Sequence, residues 1–270
     1  MPRATASSSN SWTEANRVRY LRDYRQWEQY REALGEAVPK TFETFQRHKY
    51  AVTDPETGKR GGDGKFKSWA AAYRRENGLA NSTERDILKD TELTAVPVTD
   101  DAIRRVPQIR PHGWKQEQAE RLQEAHRELL RAVKDKPVGT EAGAVYTLDM
   151  HLIKQLIGHN AEQSIALPHC SEAYISIHTH PSSEVFSPAD LDSFFYNENM
   201  LGMTVVGNSG NVYAVIKSDQ YDGFLFGTAY LDMSVKLEEA IKDQDADRYI
   251  GLIKNLLKGA AQYGIEFIES

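Results

Sequence analysis

The strongest constraint on the fold is a change of hydrophobic periodicity near residue 139. Residues 115–134 carry apolar side chains at helical spacing, and Pro137 and Gly139 end that pattern. The chain then continues as short β-branched or apolar runs, separated by Asn, Gly, Pro or Ser clusters, which predict strands. These runs are AVYTLDM, LIKQLIG, QSIALP and AYISIHTH.

The region after residue 180 predicts one more helix, a hairpin and a helical C-terminal part. SPADLDSFFYNENM starts with Ser187 as a helix N-cap and Pro188 at the first helical position. GMTVVG and NVYAVIK, joined by NSGN, predict a β-hairpin. Amphipathic stretches over 228–243 and 246–261 precede a last predicted strand, IEFIE. The pattern predicts an α/β (α+β) fold in which helices flank a mixed sheet.

The front third of the chain predicts a separate helical region. Residues 1–11 are Ser-rich with little apolar content and predict a disordered tail. Residues 12–80 predict aromatic-rich helices, and the spacing of their aromatic side chains favours core packing over a partner-binding face. Residues 81–113 show little periodicity and contain three prolines, so we predict a linker there. The sheet-containing domain is then 114–270.

Cysteine content and hydropathy exclude several protein classes. Cys170 is the single cysteine of the chain, so an internal disulfide and a Cys-based zinc site are both impossible. No apolar run of about 18 residues and no secretory leader is visible, so we expect no membrane partner. The expected location is the cytoplasm, either of the cell that encodes the chain or of a host cell.

The charge distribution is a weak guide to partners. Residues 1–80 carry a net charge of +5, and the remainder carries −11. Five excess positive charges over 80 residues fit a solvated helical surface better than a nucleic-acid interface. We therefore do not expect a nucleic-acid partner.

The stretch HTHPSSEVFSPADLD contains the strongest chemical signal. His178 and His180 are two residues apart at the end of a predicted strand, so both side chains project from the same face. Asp190, in the first turn of the next helix, could bring a carboxylate to the same place. Two imidazoles and one carboxylate suit Zn²⁺ and leave a fourth position open.

The same residues allow a second interpretation. Ser187 and Asp190 fit a helix-capping arrangement, and two histidines can simply be exposed at a strand end. Spacing alone does not decide between a metal site and a polar turn. The two interpretations are compatible, because a capping aspartate held at a helix start is also a fixed ligand.

HTHPSSEVFSPAD resembles the signature of the JAB/MPN (JAMM) metalloprotease family, in which His-x-His-Pro is followed by a loop and Ser-x-x-Asp. The loop has six residues here, 181–186, whereas the family usually has seven. The similarity extends over about residues 114–217. It implies a zinc ion bound by His178, His180 and Asp190.

The resemblance also implies catalytic residues and a reaction. A glutamate upstream of the histidines acts as the general base, and the order of elements favours Glu141 over its rivals Glu162 and Glu172. Ser187 would donate a hydrogen bond to the oxyanion. The implied reaction is hydrolysis of an amide, either in a polypeptide or in the isopeptide bond of a ubiquitin-like conjugate.

A looser similarity concerns the front third. PKTFETFQRHKY and the helices around it resemble segments of minor head or head-morphogenesis proteins of tailed phages. This leaves an alternative function, a phage head assembly protein whose JAB-like module mainly binds a partner. In either case the N-terminal helices are candidates for binding a protein.

Overall fold

The structure of the protein is a computed structural model that describes residues 14–53, 60–77, 95–158, 165 and 167–270. The chain forms two compact units, Met1–Asn81 and Ser82–Ser270. The predicted disordered tail, 1–11, lies outside the described residues. Among the helices of the described residues, none combines the length and the apolar composition that crossing a membrane requires.

The N-terminal unit is helical, with a core made largely of aromatic side chains. Its helices are α1 (Glu14–Leu34), α2 (Phe42–Lys49) and α3 (Gly64–Glu76), and a small antiparallel pair is formed by β1 (Val52–Thr53) and β2 (Arg60–Gly61). The core consists of buried side chains from these helices and the segment between α1 and α2, namely Tyr30, Val38, Phe42, Phe45 and Trp69.

The second unit is built on a sheet of six strands within the described residues, in the order β4-β3-β5-β6-β7-β8. Neighbouring strands are antiparallel except for β5 and β6, which are parallel, so the sheet is mixed. The strands are β3 (Ala142–Thr147), β4 (Leu152–Ile157), β5 (Tyr174–His180), β6 (Met200–Gly207), β7 (Val212–Lys217) and β8 (Ile265–Glu269).

Helices flank this sheet, as predicted. They are α4 (Asp100–Arg105), α5 (Gln116–Lys134), α6 (Pro188–Tyr196), α7 (Gly223–Asp243) and α8 (Ala246–Lys258). The apolar stripe of α5 packs on one face of the sheet, against Ile175 and Ile177 of β5 among others. Successive residues of a strand alternate between faces, so His178 and His180 project from the opposite face. This opposite face meets the start of α6.

The prediction of a linker over residues 81–113 is wrong from residue 95 onward. Residues 78–94 lie outside the described residues, but from residue 95 the chain belongs to the sheet unit. It forms α4 and buries four apolar side chains against α5, those of Val98, Ile103, Val106 and Ile109. Prolines interrupt the periodicity of this segment without preventing burial, because an extended segment packed on a core needs no regular repeat. The predicted strand QSIALP lies mostly outside the described residues.

Candidate metal centre

The C-terminal end of β5 sets the position of both histidines. β5 is paired on both sides, with Gly143 of β3 opposite His178 and Val205 of β6 beside it. Thr179, between the two histidines, points to the other face and accepts a hydrogen bond from the Ala142 backbone N–H at 2.9 Å. A strand held on both edges fixes the two imidazoles on one face of the sheet.

The start of α6 supplies the carboxylate. Ser187 is the N-cap, and its hydroxyl oxygen accepts from the Asp190 backbone N–H at 3.2 Å. Asp190 Oδ2 in turn accepts from the Ser187 backbone N–H at 2.8 Å and from the Ser187 hydroxyl at 2.8 Å. Pro188 occupies the first turn. The predicted capping box is present, and it holds the Asp190 carboxylate rigidly.

The three side chains converge. His178 Nε2 lies 3.1 Å from His180 Nε2 and 3.2 Å from Asp190 Oδ1. His180 Nε2 lies 3.2 Å from Asp190 Oδ2. The side chains of His178, His180 and Asp190 keep only 8%, 12% and 19% of their surface exposed. These three residues could together hold a metal ion, and the capping interpretation of the sequence is confirmed for Ser187 and Asp190.

A backbone carbonyl orients the His180 ring. His180 Nδ1 donates to the Glu184 carbonyl at 2.8 Å. With the proton on Nδ1, the Nε2 lone pair points toward His178 and Asp190. Histidines that bind metals usually donate their other ring N–H in this way, which fixes both the tautomer and the ring plane.

The charges of the site are strongly coupled. Burial raises the pKa of Asp190, but the two histidines outweigh it and hold that pKa well below its usual range. Burial lowers the pKa of His180, but hydrogen bonding and charge from Asp190 outweigh it, so the pKa is raised. The carboxylate therefore stays ionised and stabilises positive charge between the imidazoles, whether that charge is a proton or a metal ion.

Glu141 lies beside this cluster. It directly precedes β3, and since Gly143 pairs with His178, Glu141 falls level with His180 in the antiparallel register. It is buried, with 8% exposure. Burial raises its pKa to about 7, with His180 lowering it and Asp190 raising it by charge. A carboxyl group with a pKa near neutrality can both accept and return a proton at physiological pH.

Three other residues were predicted or considered for the site, namely Glu172, Glu162 and Ser187. Glu172 is exposed and precedes β5 at the end away from the histidines, and Glu162 lies outside the described residues. Ser187 adjoins the cluster, but its hydroxyl proton is directed to Asp190 Oδ2 in this structure. Donation to a substrate would require that proton to turn away from the carboxylate.

Sequence reasoning missed the residues around the loop that joins β5 to Ser187. The Glu184 carbonyl contacts His180 of the cluster, and the turn NSGN contacts Ser183 in the loop that follows His180. NSGN was predicted only as a hairpin turn. A backbone carbonyl has no residue-type signature, so the Glu184 contact left no signal in the sequence.

A comparison of this chain with protein-family models, with curated proteins and with solved structures finds no match.

Proposed function

We propose that the sheet unit is a zinc-dependent hydrolase of amide bonds, acting on a polypeptide or on a ubiquitin-like conjugate. The observation that carries the proposal is the convergence of two imidazole Nε2 atoms and one carboxylate at 3.1 to 3.2 Å on a partly exposed site. Tetrahedral zinc with Zn–N bonds of 2.0–2.1 Å separates its ligands by about 3.3 Å. The spacing of the side chains therefore fits this ion.

The donor set also supports zinc over other cations. Calcium and magnesium prefer oxygen ligands in greater number, and soft ions prefer sulfur. Two neutral imidazoles and one carboxylate are typical of catalytic zinc sites, which keep one position open. When bound there, zinc would supply Lewis-acid chemistry, polarising a carbonyl group and lowering the pKa of water.

Glu141 supplies the proton transfer in this proposal. It lies level with His180, directly before the neighbouring strand β3, and burial raises its pKa above the ordinary value, which favours a group that takes a proton from water and delivers it to the departing amine. Its burial keeps bulk water from competing for that proton. Glu141 is not one of the residues that could hold the metal, so metal binding and proton transfer are separable.

Ser187 has two roles in the proposal. It orients Asp190 through the capping box, and its hydroxyl lies at the edge of the cluster, where it could donate to an oxyanion. A donor to an oxyanion typically contributes about 2.7–4 kcal/mol to catalysis. The choice of an amide as substrate rests on the resemblance of the motif to the JAB/MPN family. That resemblance does not choose between a peptide and an isopeptide bond.

Elemental analysis and one pair of variants test the proposal. We expect about one zinc per chain, hydrolysis of polypeptides or ubiquitin-like conjugates, and loss of hydrolysis on chelation. Glu141→Gln should retain zinc and lose hydrolysis by at least about 100-fold, which is the usual contribution of a general base. Glu172→Gln, at the exposed start of β5, is the matched control and should keep full activity. Cleavage by Glu141→Gln at the wild-type rate would remove this residue from the mechanism.

Zinc content without cleavage of any tested amide would instead favour the assembly alternative, in which the module binds a partner. Absence of any bound metal would exclude both the hydrolase and its proposed mechanism.

A further inference from the structure

The loop that carries His180 toward Ser187 is attached to the tip of the neighbouring hairpin. We call residues 181–186 the metal loop and residues 208–211, between β6 and β7, the hairpin tip. β6 runs parallel to β5, and Gly207 at its end pairs with His180. The hairpin tip therefore lies beside the point where the metal loop begins.

Asn211 makes the central contact between these two segments. Its side-chain amide donates to the Ser183 carbonyl at 2.9 Å, and its side-chain oxygen accepts from the Ser209 hydroxyl at 2.8 Å. The Ser209 backbone N–H donates to the Ser183 hydroxyl at 2.9 Å. The Ser209 and Ser183 hydroxyl oxygens also lie 2.8 Å apart. Four hydrogen-bond contacts thus join Asn211 and Ser209 to each other and to one residue of the metal loop.

Ser183 needs these contacts because its backbone is strained. Its φ angle is 62°, in the left-handed region that a non-glycine residue rarely adopts. Such a conformation persists where surrounding contacts impose it. The Ser183 N–H also donates to the His180 carbonyl at 3.0 Å, which closes a tight turn directly after the second histidine.

The next residue after this turn is Glu184, whose carbonyl orients the His180 ring at 2.8 Å. We propose that Asn211 is a positioning residue of the metal centre: it fixes the Ser183 turn, and through the Glu184 carbonyl it directs His180 Nε2 toward the ion. This inference rests on the proposed metal site. On this proposal the hairpin tip connects β6 and β7 and also supports the loop that positions His180.

The packing around Gly207 supports a built contact. A Cβ atom at this position would lie 2.2 Å from Asn211 Oδ1 and 2.7 Å from Ser183 Cα. Only a glycine lets the end of β6, the hairpin tip and the metal loop approach so closely. The three segments are in direct contact at the level of His180. A change at Asn211 would therefore reach His180 through Ser183 and the adjacent Glu184 carbonyl.

Metal affinity is the measurement that tests this role, since a merely structural residue would change stability and leave affinity alone. We expect Asn211→Ala to weaken zinc binding by about 10- to 100-fold, the usual effect of removing a partner that orients a metal ligand. Chelator competition measures the affinity. The absorption spectrum of the Co²⁺-loaded protein reports the ligand geometry and should change as well.

Two further variants make the result specific. Asn211→Asp keeps the acceptor for Ser209 but loses the donor to the Ser183 carbonyl, so it should lose affinity like Asn211→Ala. Asn199→Ala is the matched control, because Asn199 also donates to backbone carbonyls, those of Cys170 and Ser171, from the far end of β6. It should bind zinc as the wild type does.

Thermal unfolding of the metal-free variants separates affinity from folding. The inference requires that Asn211→Asp weaken zinc binding more than Asn199→Ala does, at a comparable metal-free Tm. Wild-type affinity in Asn211→Ala, or equal losses in Asn211→Asp and Asn199→Ala, would overturn it while leaving the metal site intact. A wild-type protein that binds neither zinc nor Co²⁺ would overturn the proposed function, and this inference with it.

Discussion

Two buried histidines on opposite sides of the same sheet have pKa values that are shifted in opposite directions. His126, on α5, is fully buried, and its Nε2 lies 2.8 Å from the Thr204 hydroxyl oxygen. Burial lowers its pKa to about 3. His180, on β5, is also largely buried, yet its pKa is raised because Asp190 outweighs the effect of burial.

The difference shows what turns a buried histidine into a candidate site. Burial by itself favours the neutral imidazole, as at His126. A fixed carboxylate at 3.2 Å reverses this at His180 and makes positive charge favourable there. The capping box that immobilises Asp190 is therefore the feature that distinguishes the face of the sheet carrying His178 and His180 from the face packed on α5.

The largest expected effect on zinc binding comes from removing one of the two histidines that we propose as metal ligands. His178→Ala should weaken zinc binding by more than about 100-fold, because loss of a ligand costs more than the 10- to 100-fold of an orienting partner. His126→Gln, on the other face, should leave the affinity unchanged. Chelator competition on both proteins measures this, and equal affinities would contradict the assignment of the metal centre.

The next prediction concerns the stability of the fold in acid, which we expect to depend on His126, on the side of the sheet opposite the two site histidines. The folded-state pKa of His126, about 3, is below its unfolded value of 6.5. The unfolded chain therefore binds the proton first, and stability present above pH 6.5 is lost as pH falls toward 3. The loss should reach about 3 kcal/mol by pH 4.5.

In His126→Gln this pH dependence should be reduced, because glutamine can replace the bond to Thr204 but does not titrate. Denaturant unfolding at pH 7 and pH 4.5 compares the two proteins. Parallel stability losses in both would show that His126 does not cause the acid sensitivity.

An effect of similar size and opposite pH dependence is expected at Glu141 in the metal-free protein. Its folded-state pKa, about 7, lies above the ordinary value of 4.5. Stability present below pH 4.5 is therefore lost as pH rises through 7, because the buried side chain must ionise. Glu141→Gln removes this cost and should stabilise the protein at pH 8 by about 3 kcal/mol, with little change at pH 4. Thermal unfolding at the two pH values would reveal the difference, and a destabilised variant at pH 8 would refute it.

The smallest expected effect concerns Gly143, which pairs with His178. A Cβ atom there would lie 2.4 Å from Ile165 Cδ1 and 3.0 Å from Leu167 Cδ1. Gly143→Ala should destabilise the unit by about 1 kcal/mol, at the low end for overpacking, because the ends of flexible side chains can shift. Gly251→Ala is the control, since nothing lies within 4 Å of its added Cβ and alanine favours a helix. Equal stability changes in the two variants would show that space at Gly143 is not limiting.

Most elements of the described fold follow from local pattern. The apolar stripe of residues 115–134 predicted α5 almost to the residue, and NSGN predicted the turn between β6 and β7. The segment after residue 95 was mispredicted because its burial depends on where α5 and the sheet lie, not on any repeat of its own. Helices and hairpins are specified by neighbours in sequence, whereas an extended segment is specified by what it packs against.

For the site, the sequence by itself determined the donor set: two histidines on one strand face and an aspartate at a helix start. The resemblance of the motif to the JAB/MPN family favoured Glu141 as the upstream acid over Glu162 and Glu172. Only the tertiary structure decided that Glu141 lies level with His180 while Glu172 lies at the other end of β5. It alone brought Asn211 to the loop after His180. The reason is physical: residue spacing fixes which side chains share a face, but strand register and loop contacts fix which distant segments meet.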